Sequence, residues 1–231
     1  MRRVVLAVLL LAIPGMARAQ AWLSDPGSAG TQVAEIGNAR LKLPPGTWEL
    51  VAELGEGSSN FNAVSFRTKL YLQVLDGKVG AIIAVGANET AATGRQNRWL
   101  VPNQCGAKSS ANMVVDAKVE DSYLGSYDCM LVTFTKLNPD KDNPLFGPLL
   151  TRAASIGGMP PAMLYTAFNK TSPSRFDAIN VKMFVNPATP SFAAAVRSAG
   201  IATTAPTSGN MLTLMTSWST AYRSVVAGSI P

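Results

Sequence analysis

The chain predicts an α+β fold, an antiparallel, hairpin-rich sheet with C-terminal helices packed on one face. Runs of period-two hydrophobic alternation occupy its first two-thirds. Turn signals built on Gly, Pro and Asp separate those runs at hairpin-like intervals. Three- and four-residue periodicity appears only in the last third. A β-sandwich with a helical tail is the alternative that the same pattern allows.

Leu41 and Leu43 lead into a Pro44-Pro45-Gly46 turn. Beyond it Trp48, Leu50, Ala52 and Leu54 alternate with Glu49, Val51 and Glu53, a strand pattern. The clearest strand is residues 64–74. Val64, Phe66, Thr68, Leu70, Leu72 and Val74 form an apolar face, and Arg67, Lys69, Tyr71 and Gln73 a face expected to meet water. Asp76-Gly77 follows, and both residues tolerate the positive φ of a tight hairpin. Residues 79–85 are apolar on both faces, which suits a central strand. Further strands are expected at 129–136, 163–168 and 179–185, the last two pairing across the polar loop 169–175.

A short helix is expected to open at Asn143-Pro144 or Gly147-Pro148, to carry Leu149, Leu150 and Ile156, and to stop at Gly157-Gly158. Thr189-Pro190 and Gly200 bracket a second helix as cap, first-turn proline and stop. Met211, Leu214, Met215, Trp218, Tyr222 and Val225 mark a third, between a cap at Ser208 and Gly228. Its other face is rich in Thr and Ser, with Arg223 the lone cation, whereas membrane-surface helices carry several Lys or Arg there. The stripe is therefore expected to be core.

Residues 1–19 read as a signal peptide: Arg2 and Arg3, an apolar run at 4–13, a Pro14-Gly15 break, then Ala17-Arg18-Ala19 before a cut at Gln20. The apolar run is about half the ~20 residues that a membrane-spanning helix needs, so no transmembrane segment is expected after cleavage. The protein is thus expected to be exported, periplasmic or secreted. Residues 20–38, small, polar and Gly-containing, read as a flexible N-terminal arm, and residues 39–231 as a single α+β domain.

Composition removes several chemistries. The 231 residues include no histidine, so there is no Ser-His-Asp triad, Cys-His dyad or HExxH zinc site. Cleavage of the leader takes three arginines from the 20 basic residues and leaves 17 against 14 acids. That balance is too mild for a nucleic-acid footprint. Cys105 and Cys129, 24 positions apart, are expected to form a disulfide in an oxidising compartment. They lack the CxxC redox spacing. Neither SxxK nor GxSxG occurs, and Gly80, Gly86 and Gly94 make no GxGxxG fingerprint. No cofactor is expected.

Four groups of polar residues remain. Asn138, Asp140, Asp142 and Asn143 resemble a calcium loop but lack its glycine and closing glutamate, so they read as turn-formers and no metal is expected. Asp116, Glu120 and Asp121 supply carboxylates for a histidine-free, glycan-directed hydrolase, but acids so close in sequence more often form a solvated loop. Asn88-Glu89-Thr90 and Asn169-Lys170-Thr171 have the form of glycosylation sequons. The candidate ligand patch is Arg95, Arg98 and Trp99, joined by Arg67, Lys69 and Tyr71. Arginines beside an aromatic grip carboxylates, phosphates or sugar rings, although a solvated sheet face has the same composition.

The segment from Leu43 to Trp48 (LPPGTW), the Trp99…Asn103…Cys105 stretch, Cys129, and Trp218…Val225-Val226-Ala227-Gly228 together resemble a pattern in uncharacterised exported proteobacterial proteins. That resemblance implies an exported, disulfide-bearing domain and supplies no activity. The expected function is non-enzymatic binding of a small-molecule, glycan or protein partner in the cell envelope. A hydrolase with paired carboxylates is the alternative.

Overall fold

The computed structural model describes residues 22, 25, 27–56, 65–89, 102–120, 126–137, 139–172, 177–200 and 208–231. The expected signal peptide lies outside them, as do Arg95, Arg98, Trp99, Asp121 and Asn138.

A small ribbon comes first, β1 (Val33–Ile36) paired antiparallel with β2 (Ala39–Lys42). Gly37 between them has φ 52°, the positive value that a type II′ turn requires at its first position. Three strands then run as a meander: β3 (Glu49–Glu56), β4 (Phe66–Leu75) and β5 (Lys78–Asn88). The Asp76-Gly77 turn joins the last two with φ of 54° and 71°, as its residue types predict. A second meander contains β6 (Met113–Val119), β7 (Tyr127–Thr135), β8 (Met163–Thr171) and β9 (Ala178–Val185). β9 pairs with β5, so the two meanders fuse into one antiparallel seven-stranded sheet of order β3-β4-β5-β9-β8-β7-β6. The expected α+β class holds.

Among the described residues three α-helices accompany the sheet: α1 (Phe146–Ala154), α2 (Pro190–Ser198) and α3 (Ser208–Ala227). The two C-terminal helices share one face of the sheet, here termed the inner face. Met215, Trp218 and Tyr222 of α3 and Phe192 of α2 pack there with Ile83, Val181, Met183 and Phe168. The side chains that alternate with these in β4, β5 and β9 form a second core on the outer face. There Leu149 and Ala153 of α1 meet Leu70, Leu72, Ile82 and Phe184. A strand buried on both faces reads as a continuous apolar run, which is why β5 shows no alternation.

Two expectations change. The face of β4 expected to be wet is covered: Tyr71 and Gln73 are buried. Gln73 accepts a hydrogen bond from Trp22 Nε1 at 3.1 Å and donates to the Pro45 carbonyl at 3.2 Å, so a polar side chain sits satisfied in the core. The stretch expected as a loose arm is partly built in. Trp22 is buried edge-on against Trp218, and β1 inserts Ala34 and Ile36 into the inner core. Composition suggested a loop because this segment's buried residues are few and interspersed with Ser, Gly and Asp.

Candidate functional site

The outer face is capped at its two ends by different devices. At one end α1 lies over the sheet. Its entry is fixed by Asn143, whose Oδ1 accepts from the backbone N–H of Leu145 at 2.9 Å and of Phe146 at 3.2 Å. Asp140 likewise accepts from the Asp142 N–H at 3.0 Å, so the calcium-like run contains turn-forming side chains. At the other end a single 3₁₀ turn, Asn103–Gly106, is tied to β7 by the Cys105–Cys129 disulfide, with Cα atoms 5.6 Å apart. Cys105, Cys129 and Tyr127 form a small buried cluster there.

Between these caps is a cleft of about 370 Å³. Leu145 and Phe146 line it on the α1 side, Pro102 and Tyr127 on the disulfide side. Its floor follows one cross-strand row of the sheet. Thr68 faces Gly86, Gly86 faces Asn180, Asn180 faces Asn169, and Asn169 faces Cys129. Gly86 has a steric role: a Cβ there would stand 2.6 Å from Phe66 Cε1, so the ring lies over bare backbone and becomes part of the lining. Lys182, two residues along β9 from Asn180, shares this face.

The polar groups of this floor are unevenly satisfied. Asn169 is only 3% exposed. Its Oδ1 accepts from Asn180 Nδ2, while its own Nδ2 has no hydrogen-bond partner. A buried N–H₂ without an acceptor costs about 1–3 kcal/mol, so its presence calls for a reason. Lys182 is exposed and forms no ion pair among the described residues. Burial pushes the Tyr127 phenol up to about 12, so it remains a neutral hydrogen-bonding group throughout the physiological range. None of the described lining residues is a carboxylate.

The described residues of the patch expected from sequence lie elsewhere. Arg67, Lys69 and Tyr71 share the inner face of β4, as the alternation predicts, and their surroundings neutralise the charges. Arg67 bonds Glu89 through Nε at 2.5 Å and Glu53 through Nη1 at 2.6 Å, and Lys69 lies 3.9 Å from Glu53. Hydrogen bonds from Ser65 and then from Arg67 hold the Glu89 carboxyl below its ordinary range. Arg95, Arg98 and Trp99, the other half of that patch, are outside the described residues. Asp116 is committed to Arg223 at 2.7 Å. Asn88 and Asn169, the sequon asparagines, are both buried in strands.

Sequence reasoning did not single out Asn180, Lys182 or Thr68 for a site, and read Asn169 as a sequon at the start of a polar loop, whereas it lies within β8. A usable signal was present: in β9 Asn180 and Lys182 alternate with Ile179, Val181 and Met183. Two polar residues on one face of a central strand imply that this face is not wholly packed.

Among the described residues no group of three or more His, Cys, Asp or Glu is arranged to hold a metal, and no helix is long and apolar enough to cross a membrane. No protein-family model matches the chain, and no curated protein or solved structure is significantly similar to it.

Proposed function

We propose that the protein is an exported, non-enzymatic binding domain that takes a small ligand into the outer-face cleft. The unsatisfied Asn169 amide carries the reading: a buried donor without a partner, on a residue that lines the cavity, is a cost to the free protein that a ligand acceptor removes. The cavity falls within the size range of small-molecule sites, and its lining joins aromatic surface to a few polar groups, as such sites do. Catalysis has less support, because the described lining provides amide, hydroxyl and ammonium groups without paired carboxylates or a nucleophile–base pair. The Cys105–Cys129 bridge is compatible with an oxidising, extracytoplasmic setting.

The test uses protein recovered from the exported fraction, whose intact mass should correspond to a chain starting at Gln20. Small amphiphiles are screened by saturation-transfer NMR against this protein and against Thr68→Trp. Thr68 lines the cleft and is only half-buried, so an indole there occupies the cavity without overpacking a core. Binding to wild type, loss of binding in Thr68→Trp at an unchanged melting temperature, and recovery of the ligand chemically intact are the expected results. Binding unaffected by the indole, or conversion of the ligand, overturns the proposal, as does a chain retained in the cytoplasm with residues 1–19 attached.

A further inference from the structure

We infer that the cleft selects small amphipathic monoanions, with a carboxylate-type head held by Lys182 and Asn169 and an apolar tail against Phe66, Phe146 and Phe184. This rests on the cleft being a ligand site.

The head-group assignment follows from the donor inventory. Asn169 Oδ1 is occupied by Asn180, which leaves the Asn169 N–H₂ as the group in need of a partner, and that partner must be an acceptor. Lys182 adds three further donors and a full positive charge. Asn169 lies directly across from Asn180, so Lys182 is its diagonal neighbour on the adjacent strand. Such neighbours are about 7–8 Å apart at Cα, within the span of a lysine side chain and a carboxylate. Among the described lining residues an anion there meets no opposing acid, since none of them is Asp or Glu.

The α1 N-terminus is not a competing seat for the anion. Asn143 already occupies its first N–H groups, through Oδ1 to Leu145 and Phe146 and through its carbonyl to Gly147. The tail is placed by the rings: Phe66 over Gly86, Phe146 at the α1 edge, and Phe184, whose ring lies 4.9 Å from that of Tyr165. One ammonium and one amide suit a singly charged carboxylate, whereas a dianionic phosphate would leave charge unmatched in a half-apolar cavity.

Isothermal titration of the disulfide-intact mature chain with octanoate, octanol and octylamine separates charge from tail. Octanoate should bind at least tenfold tighter than either of the others. Lys182→Met should erase that advantage and leave octanol unchanged, and Lys182→Glu should invert it in favour of octylamine. Lys182 is exposed, so both variants retain the fold. If the three probes bind wild type alike, if octylamine is preferred, or if Lys182→Met leaves octanoate untouched, the anion assignment is wrong while the cleft remains a ligand site. If none of the three binds, both fall.

Discussion

Arg223 is the cation of α3, and the structure uses it to bind the helix to the sheet. Its Nε donates to Asp128 Oδ1, its Nη1 to Asp116 Oδ2 and its Nη2 to the Asp128 carbonyl, each at 2.7 Å. Lys170 reaches the other Asp128 oxygen at 3.0 Å. Burial pushes the Asp128 carboxyl up, and the hydrogen bonds from Arg223 and Lys170 more than reverse this, so it titrates below its ordinary 3.8. A carboxyl whose folded-state value is depressed stabilises the fold above its unfolded value, and that stability is lost as pH falls through the folded value. Arg223→Ala should therefore cost about 1–3 kcal/mol at neutral pH, the range for charged hydrogen bonds to a part-buried group. The penalty should shrink as urea midpoints are followed from neutral pH down through the depressed folded-state value of Asp128, where the carboxylate that Arg223 binds is lost. An equal penalty throughout would show that Arg223 acts through its aliphatic stem and not through its charge.

At the scale of elements, the β1–β2 ribbon shows how much depends on one close approach. Gly37 sits at positive φ, and a Cβ on it would fall 2.5 Å from the carbonyl oxygens of both Asn88 and Glu89 at the end of β5. Gly37→Ala should then lower stability by about 1–3 kcal/mol, from backbone strain with the ribbon forced off the sheet. Asn38→Ala, in the same turn, serves as the control in the same urea titration. Equal midpoints for the two variants would mean that the turn does not dock as described. This contact was not legible in the sequence, because it joins elements some fifty residues apart. Locally encoded features were legible: the Asp76-Gly77 hairpin, the Thr189 cap whose Oγ1 accepts from Phe192 N–H at 3.2 Å, and the Gly157-Gly158 stop at φ 92° and 86°. β6 escaped notice because it is an edge strand with mostly exposed side chains, so its sequence shows no apolar alternation. The cleft escaped for a related reason: its floor is a row across five strands, and a sequence read along one strand at a time does not display such a row.

For the whole molecule, the inner and outer faces are closed by different forces. Three aromatic rings, Trp22, Trp218 and Tyr222, anchor the inner face, with Tyr222 Oη donating to the Lys42 carbonyl at 2.5 Å. On the outer face α1 is held by packing, whereas the opposite wall is a 3₁₀ turn whose covalent tie is Cys105–Cys129. Opening a 24-residue loop should remove about 3 kcal/mol on the chain-entropy model. The same step should release Pro102 and loosen the wall beside Tyr127 while the distant inner core persists. The double variant Cys105→Ser/Cys129→Ser is thus expected to lose stability and, at temperatures where it is fully folded, to bind octanoate severalfold more weakly. Its tryptophan emission should stay blue-shifted, because Trp22 and Trp218 remain buried. Arg223→Ala destabilises from the other side of the sheet and should leave octanoate affinity as it was. If both variants weaken binding in proportion to their loss of stability, the effect is global softening; if only the cysteine variant does, the disulfide holds the shape of the cleft.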